Sequence, residues 1–200
     1  DADYALRGSE ILCQGAKVLN LEETRLRGLH NAENVMAALA AVEAVNIMPE
    51  AALAGFEEYA PPLHRCELVR TLDGVEYIND SKATNLHALE AALRSQSRPT
   101  VLIAGGKEKE LDYTPLLPAL EGRVSRIVVF GEIRSRLVDT FSPAVRTVNA
   151  VSLKEAVQYA REASEPGGTV LFSPGTSSFD MFSGYEERGD AYRKIVHALK

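Results

Sequence analysis

The chain has 200 residues, 46% of them hydrophobic and 25% charged, which is enough apolar mass for one or two globular domains and too much for a disordered protein. Its net charge of −6 excludes a general attraction for nucleic acid or for an anionic membrane, so an anionic ligand needs local basic groups. Cys13 and Cys66 fit reduced thiols rather than a disulfide framework, the histidines lack zinc spacing, and neither a leader pattern nor a membrane-length apolar run occurs, so a cytoplasmic protein is expected.

Residues 4–27 alternate short extended runs with Gly8 and Gly15, a pattern for small β-structure, and the abrupt start at Asp1 reads as that of a fragment. The period then changes. Val35, Met36, Leu39, Val42 and Val45 fall on one helical stripe, which predicts a helix over 34–45 with Asn31 as its N-cap and Pro49 soon after its end. A second helix over 50–59 is closed by Pro61-Pro62, a pair that cannot continue a helix and marks a domain boundary. Arg65 follows directly, at the joint, where a phosphate is within reach; a surface arginine is the plainer reading.

Beyond the prolines, residues 75–78 read as a strand, and apolar runs at 101–104, 127–130 and 170–172, with a shorter one at 147–148, read as buried parallel strands. Helical stretches at 86–94, 113–120, 134–140, 153–163 and 185–199 intervene or follow. This alternation predicts an α/β fold, a doubly wound, mostly parallel sheet with helices on both faces.

Three strands end in polar or glycine-rich turns, which in a parallel sheet lie along one edge. The first is Asn79-Asp80-Ser81-Lys82-Ala83-Thr84-Asn85, a carboxylate, an ammonium and two hydroxyls ahead of a helix N-terminus. Thr84 or Asn85 also suits a helix cap, so this turn alone reads either as a cap with solvated charges or as a binding site. The second, Gly105-Gly106-Lys107-Glu108-Lys109, offers close backbone approach and positive charge, or merely a turn with solvated lysines. The third, residues 173–178, brings hydroxyls and amides before a helical turn at 179–182, or an ordinary Ser/Thr-rich turn. The Walker A pattern is absent, so the second turn is not a P-loop, and neither Gly-x-Gly-x-x-Gly nor Gly-x-Ser-x-Gly occurs, which weakens nicotinamide-dinucleotide and nucleophilic-serine readings.

Taken in order, the segments Gly28-x-His30-Asn31-x-x-Asn34, Leu63-x-Arg65-x-Glu67, residues 79–85, and the run from Ser173-Pro174 through Ser178-x-Asp180-x-Phe182-x-x-Tyr185-x-x-Arg188-Gly189 resemble the Mur ligases. The Asp-Ser-Lys-Ala-Thr-Asn run and the long Ser-Pro to Arg-Gly signature resemble their D-glutamate-adding type. The resemblance implies an ATP- and Mg2+-dependent enzyme that joins D-glutamate to UDP-N-acetylmuramoyl-L-alanine through an acyl phosphate in peptidoglycan precursor synthesis, as a monomer with no nucleic-acid or membrane partner. It further implies that residues 1–62 are the end of a central ATP-binding domain and 63–200 a Rossmann-like amino-acid-binding domain. The P-loop and main magnesium ligands would then lie upstream of Asp1, and this chain alone is expected to be inactive and less ordered over 1–62.

By the same resemblance, Asn34 matches an adenine-contacting position, Arg65 and Asp80 match nucleotide-binding positions, and Lys82 matches a lysine near the phosphates and the acyl-transfer centre. Thr84, Lys109 and Ser178 match positions that hold the carboxylates of D-glutamate, with Phe179 and Tyr185 lining that pocket. Lys107 competes with Lys109 for its role. Other amino-acid-adding Mur ligases, folylpolyglutamate synthase relatives and a non-catalytic Rossmann-like binding module are the rival readings.

Overall fold

The computed structural model describes residues 3–24, 26, 29–47, 53–56, 59 and 62–200, and its chain divides into two units, Asp1–Pro62 and Leu63–Lys200. In the first, β1 (Tyr4–Arg7), β2 (Glu10–Cys13) and β3 (Ala16–Asn20) form an antiparallel sheet. Helix α1 (Leu29–Ala44) buries Ala32, Val35 and Leu39 against Ile11 and Leu19 of that sheet.

The helix begins earlier than its apolar stripe predicts, so Asn31 lies inside the first turn and is not the N-cap, while Asn34 is exposed on the helix surface. Its end is also earlier. Asn46, at φ +60, closes a Schellman motif in which the Ile47 amide bonds Val42 O and the Asn46 amide bonds Glu43 O, both at 2.9 Å. Val45 therefore sits past the last turn and is exposed rather than part of the buried stripe. Of the helix expected over 50–59, residues 53–56 are helical and half of the span lies outside the described residues.

The second unit is built on a six-stranded sheet of order β4-β5-β9-β6-β7-β8. Its strands are β4 (Glu67–Leu72), β5 (Val75–Asn79), β6 (Thr100–Gly105), β7 (Val124–Phe130), β8 (Thr147–Asn149) and β9 (Thr169–Phe172). All neighbours pair in parallel except β4, which pairs antiparallel with β5 at the sheet edge. The sequence reading missed β4. Its hairpin is carried by Asp73-Gly74, at φ +53 and +77, the left-handed pair of a two-residue type I′ turn.

Leu102, Ala104, Ile127, Val129 and Leu171 point to one face, where α2 (Leu86–Arg94), α3 (Leu117–Leu120) and α4 (Arg134–Phe141) cover them. Val101, Ile103, Val128, Phe130, Val170 and Phe172 point to the other, under α5 (Leu153–Glu162) and α6 (Tyr185–His197). Because both faces are buried, these strands read as continuous apolar runs rather than alternating ones. The fold is the doubly wound α/β sheet that the alternation predicts.

Connectivity fixes the position of a crevice. The chain leaves β5, β6 and β7 through helices on one face, returns from β8 through α5 on the other, and inserts β9 between β5 and β6. At the carboxyl end of β9 the neighbouring connections part to opposite faces, which is the topological switch point where open α/β sheets bind ligands.

Candidate functional site

The three turns meet at that switch point. Asn79 pairs with Phe172 across β5 and β9, and Ile103 pairs with Phe172 across β6 and β9, so all three strands deliver their exits to one edge. Cross-bonds join the turns: Gly105 N donates to Pro174 O, Lys107 N to Ser177 O, and Gly175 N to Ala83 O, at 2.9–3.0 Å. Backbone contact this close requires glycine at 105 and 106, since a Cβ there would lie 2.0 Å from Phe130 O and 2.4 Å from Ser177 O respectively.

Asp80 is 4% exposed. Its Oδ2 accepts from Ser173 Oγ at 2.7 Å and its Oδ1 from the Cys66 amide at 3.2 Å. Burial pushes its carboxyl up to about 6, against the opposing pull of those two hydrogen bonds and of the Arg65 charge. The carboxylate expected to face nucleotide is thus first a bridge between the loop carrying Arg65, the β5 exit and the β9 exit. Beside it, burial and the Asp80 charge push the Cys66 thiol up, so it stays protonated and unreactive.

Lys82 is exposed, with Nζ 5.8 Å from the centroid of the Tyr185 ring, and it has no carboxylate partner among the described residues. Two residues on, Thr84 O receives a hydrogen bond from Lys109 Nζ at 3.3 Å, which brings the first and second turns together at side-chain level. Lys107 is engaged elsewhere, its Nζ 2.8 Å from Glu132 Oε2. The turn that presents Lys109 is pinned by Glu108, whose Oε1 accepts from the Lys109 and Glu110 amides and from Arg136 Nη1 of α4.

Ser178 is buried, and its carbonyl accepts from the Met181 and Phe182 amides, forming the helical turn expected at 179–182. Its hydroxyl makes no hydrogen bond to another described residue. Phe179, the next residue, is 69% exposed and so walls no cavity within this unit. Tyr185, at the start of α6, lies between Lys82 and the ring of His64, 6.3 Å away centroid to centroid. Asn34 belongs to the first unit and Arg65 to the second.

Sequence reasoning gave no role to Arg188, which is fully buried. Its Nε donates to Ser81 Oγ at 3.1 Å, Nη2 to Ser81 O at 2.8 Å and Nη1 to Thr176 O at 3.1 Å, tying the first turn to the third. Burial pulls its guanidinium down to about 10. The signal was the Arg-Gly pair that ends the long signature, which periodicity alone assigns to an unremarked stretch of helix.

A cavity of 480 Å3 lined by Leu117, Pro118, Val124 and Val145 lies at the opposite edge, where the strands begin, far from these turns. Among the described residues no three His, Cys, Asp or Glu side chains gather as a metal site, and no helix is long and apolar enough to cross a membrane.

The family model described as "Mur ligase, glutamate ligase domain" matches residues 64–175. A UDP-N-acetylmuramoylalanine–D-glutamate ligase of Hahella chejuensis is 45% identical over 193 residues, 94% of this chain and 43% of that protein. One of the same name from Chlorobium phaeobacteroides is 47% identical over 174 residues, covering 87% of this chain and 37% of the relative, so the chain spans less than half the length of either. Among solved structures, Mycobacterium tuberculosis folylpolyglutamate synthase complexed with ADP and AMPPCP shares the fold, with a TM-score of 0.65 and 22% identity over 96% of this chain and 46% of that one.

Proposed function

The chain belongs to the Mur ligase family, its residues 64–175 matching the glutamate ligase domain, and from that premise we propose that the protein of which it forms part is an ATP-dependent ligase that adds D-glutamate to UDP-N-acetylmuramoyl-L-alanine. In this reading residues 63–200 are the amino-acid-binding domain, residues 1–62 end the central ATP-binding domain, and the protein works in the cytoplasm as a monomer. The observation that carries the reading is the bond from Lys109 Nζ to Thr84 O at the switch point, between turns that are cross-bonded to the one carrying Ser178.

The donor set fits the ligands. D-glutamate is a dianion apart from its amine, and Lys109, Thr84 and Ser178 offer one cation and two neutral donors for its carboxylates. Tyr185 and Phe179 flank it, and Lys82 offers a charge without a competing carboxylate to nucleotide phosphate. Asn34 is proposed to take adenine, and Arg65 and Asp80 to hold nucleotide. The described residues bring together no acidic set for Mg2+, so the ion is assigned to ATP and to residues beyond this chain, and no step is routed through it.

Amide formation from a carboxylate needs a leaving group. The substrate carboxylate takes the γ-phosphoryl group of ATP as ADP leaves, and the neutral amine of D-glutamate then attacks the acyl carbon, losing a proton to solvent as phosphate leaves. Lys82 neutralises negative charge that grows on the acyl and phosphate oxygens, while Thr84, Lys109 and Ser178 hold the amine in line for attack.

The test is D-glutamate-dependent ADP release by the full-length protein in the presence of UDP-N-acetylmuramoyl-L-alanine, with L-glutamate, L-alanine and diamino acids as alternatives. Lys109→Ala is expected to raise the KM for D-glutamate about tenfold or more, and Lys107→Ala to change it little. Turnover with another amino acid in place of D-glutamate would overturn the substrate, and the reverse order of the two lysines would overturn the pocket.

A further inference from the structure

His64 is a buried residue that the proposed chemistry leaves without a task. The residue is 4% exposed, and its backbone is held in the left-handed region at φ +65, which a β-carbon disfavours and which therefore needs compensation. The compensation is in its neighbours. Asn79 Nδ2 lies 3.0 Å from His64 Nδ1 and also reaches Glu67 Oε2 at 3.1 Å and Gly189 O at 3.3 Å.

The direction of that contact is fixed by the other end of the amide. Asn79 Oδ1 accepts from the Ser81 amide at 3.2 Å, so the Nδ2 end must face the ring, and Nδ1 must be the acceptor. The ring proton is then on Nε2, on the side of Asp190 Oδ1, 3.7 Å away. The helix that carries Asp190, α6, also approaches the ring over bare backbone. A Cβ at Gly189 would lie 2.2 Å from Nδ1 and 2.6 Å from Cγ, so glycine at this helical position makes the seat for the ring.

His64 also touches the site through its main chain, since its carbonyl accepts from the Lys82 amide at 2.9 Å. One residue therefore joins three pieces: the loop that carries Arg65, the turn that carries Asp80 and Lys82, and the helix that carries Arg188.

We propose that His64 is a positioning residue that sets the register between the Arg65 loop and the Asp80-Lys82 turn, its Nδ1 held by Asn79 and its ring seated on Gly189. It contacts no reacting atom. It acts through the Lys82 amide and through the placement of the residue next to it. The proposal rests on the functional reading above, in which Arg65, Asp80 and Lys82 serve nucleotide and acyl transfer while Thr84, Lys109 and Ser178 serve D-glutamate.

That division gives a readout that a general loss of structure would not produce. In the full-length protein, His64→Leu is expected to lower kcat and raise the KM for ATP by about tenfold each, the scale of one buried hydrogen bond, and to leave the KM for D-glutamate within about twofold. His64→Asn keeps an acceptor near the Nδ1 position and tolerates the left-handed backbone, so it is expected to recover most of both losses. Gly189→Ala, which pushes on the same ring with the histidine intact, is expected to behave like His64→Leu.

Hydrogen exchange separates this proposal from the ligase reading. His64→Leu and Gly189→Ala are each expected to speed exchange at the Ser81 and Lys82 amides about tenfold, with His64→Asn near the parent rate. If His64→Leu does not fold, Gly189→Ala carries the same prediction. Unchanged exchange at both amides, or an asparagine variant as damaged as the leucine one, would overturn the proposal whatever the activity. A parent protein without D-glutamate-dependent ADP release would overturn the ligase reading instead.

Discussion

Asp80 keeps its carboxylate inside the protein, and two short donors do not fully replace the water it loses. Its pKa rises from 3.8 to about 6, so the native state binds a proton that the unfolded chain has already released over that interval. Stability from this group is complete below 3.8, is lost as pH rises through about 6, and is absent above it. The shift corresponds to about 3 kcal/mol. Asp80→Asn is therefore expected to stabilise the second unit at pH 8 by a comparable order, with the gain vanishing near pH 4, in urea denaturation followed by circular dichroism. Equal or lower stability of the variant at pH 8 would show that Ser173 and Cys66 compensate the charge fully. A site that tolerates such a cost for its carboxylate is consistent with a task for that charge outside folding.

At the scale of elements, the turns are rigid because backbone packs on backbone. Gly106, at φ +143, sits against Ser177 O and 3.0 Å, measured from an added Cβ, from Arg188 Nη1. Neither neighbour can give way, since one is main chain and the other is a buried guanidinium already committed to Thr176 and Ser81. Gly106→Ala is expected to cost about 3 kcal/mol or more, seen as a lower denaturation midpoint with loss of near-ultraviolet tyrosine signal. A midpoint within error of the parent would mean that the β6 exit can move away from the β9 exit. The helix that follows the first turn is simpler. Asn85 Oδ1 accepts from the Ala88 amide at 2.9 Å, so Asn85 is the cap and Thr84 is left for another purpose.

At the scale of the molecule, each unit has its own core. Among the described residues, the two apolar clusters that sandwich the second sheet draw on residues from 66 onward, and the cluster of the first unit on residues up to Phe56. A protein comprising residues 63–200 is therefore expected to fold alone in one cooperative urea transition, and a non-cooperative one would show that its sheet needs help from outside those residues. Under the proposed function ligation is not expected of it, since the given sequence contains no Gly-x4-Gly-Lys-Ser/Thr loop to hold ATP phosphates.

Much of this was legible in the residues. Continuous apolar runs predicted strands buried on both faces, their regular alternation with helices predicted a doubly wound sheet, and the polar turns at 79–85, 105–109 and 173–178 predicted a shared edge, because each signal is local and repeats at a fixed period. The edge strand β4 was missed because an exposed strand carries half the apolar signal of a buried one, although Asp73-Gly74 announced its hairpin. The start of α1 was misplaced because its apolar stripe begins a turn after its backbone does. Only the tertiary structure decided that Asp80 is a buried bridge, that Lys109 rather than Lys107 reaches Thr84, and that Arg188 and His64 tie the turns together. Each of those facts depends on residues far apart in sequence meeting at one point. Local pattern carries the fold, but which of two nearby lysines is already paired is settled by a glutamate on another strand's exit.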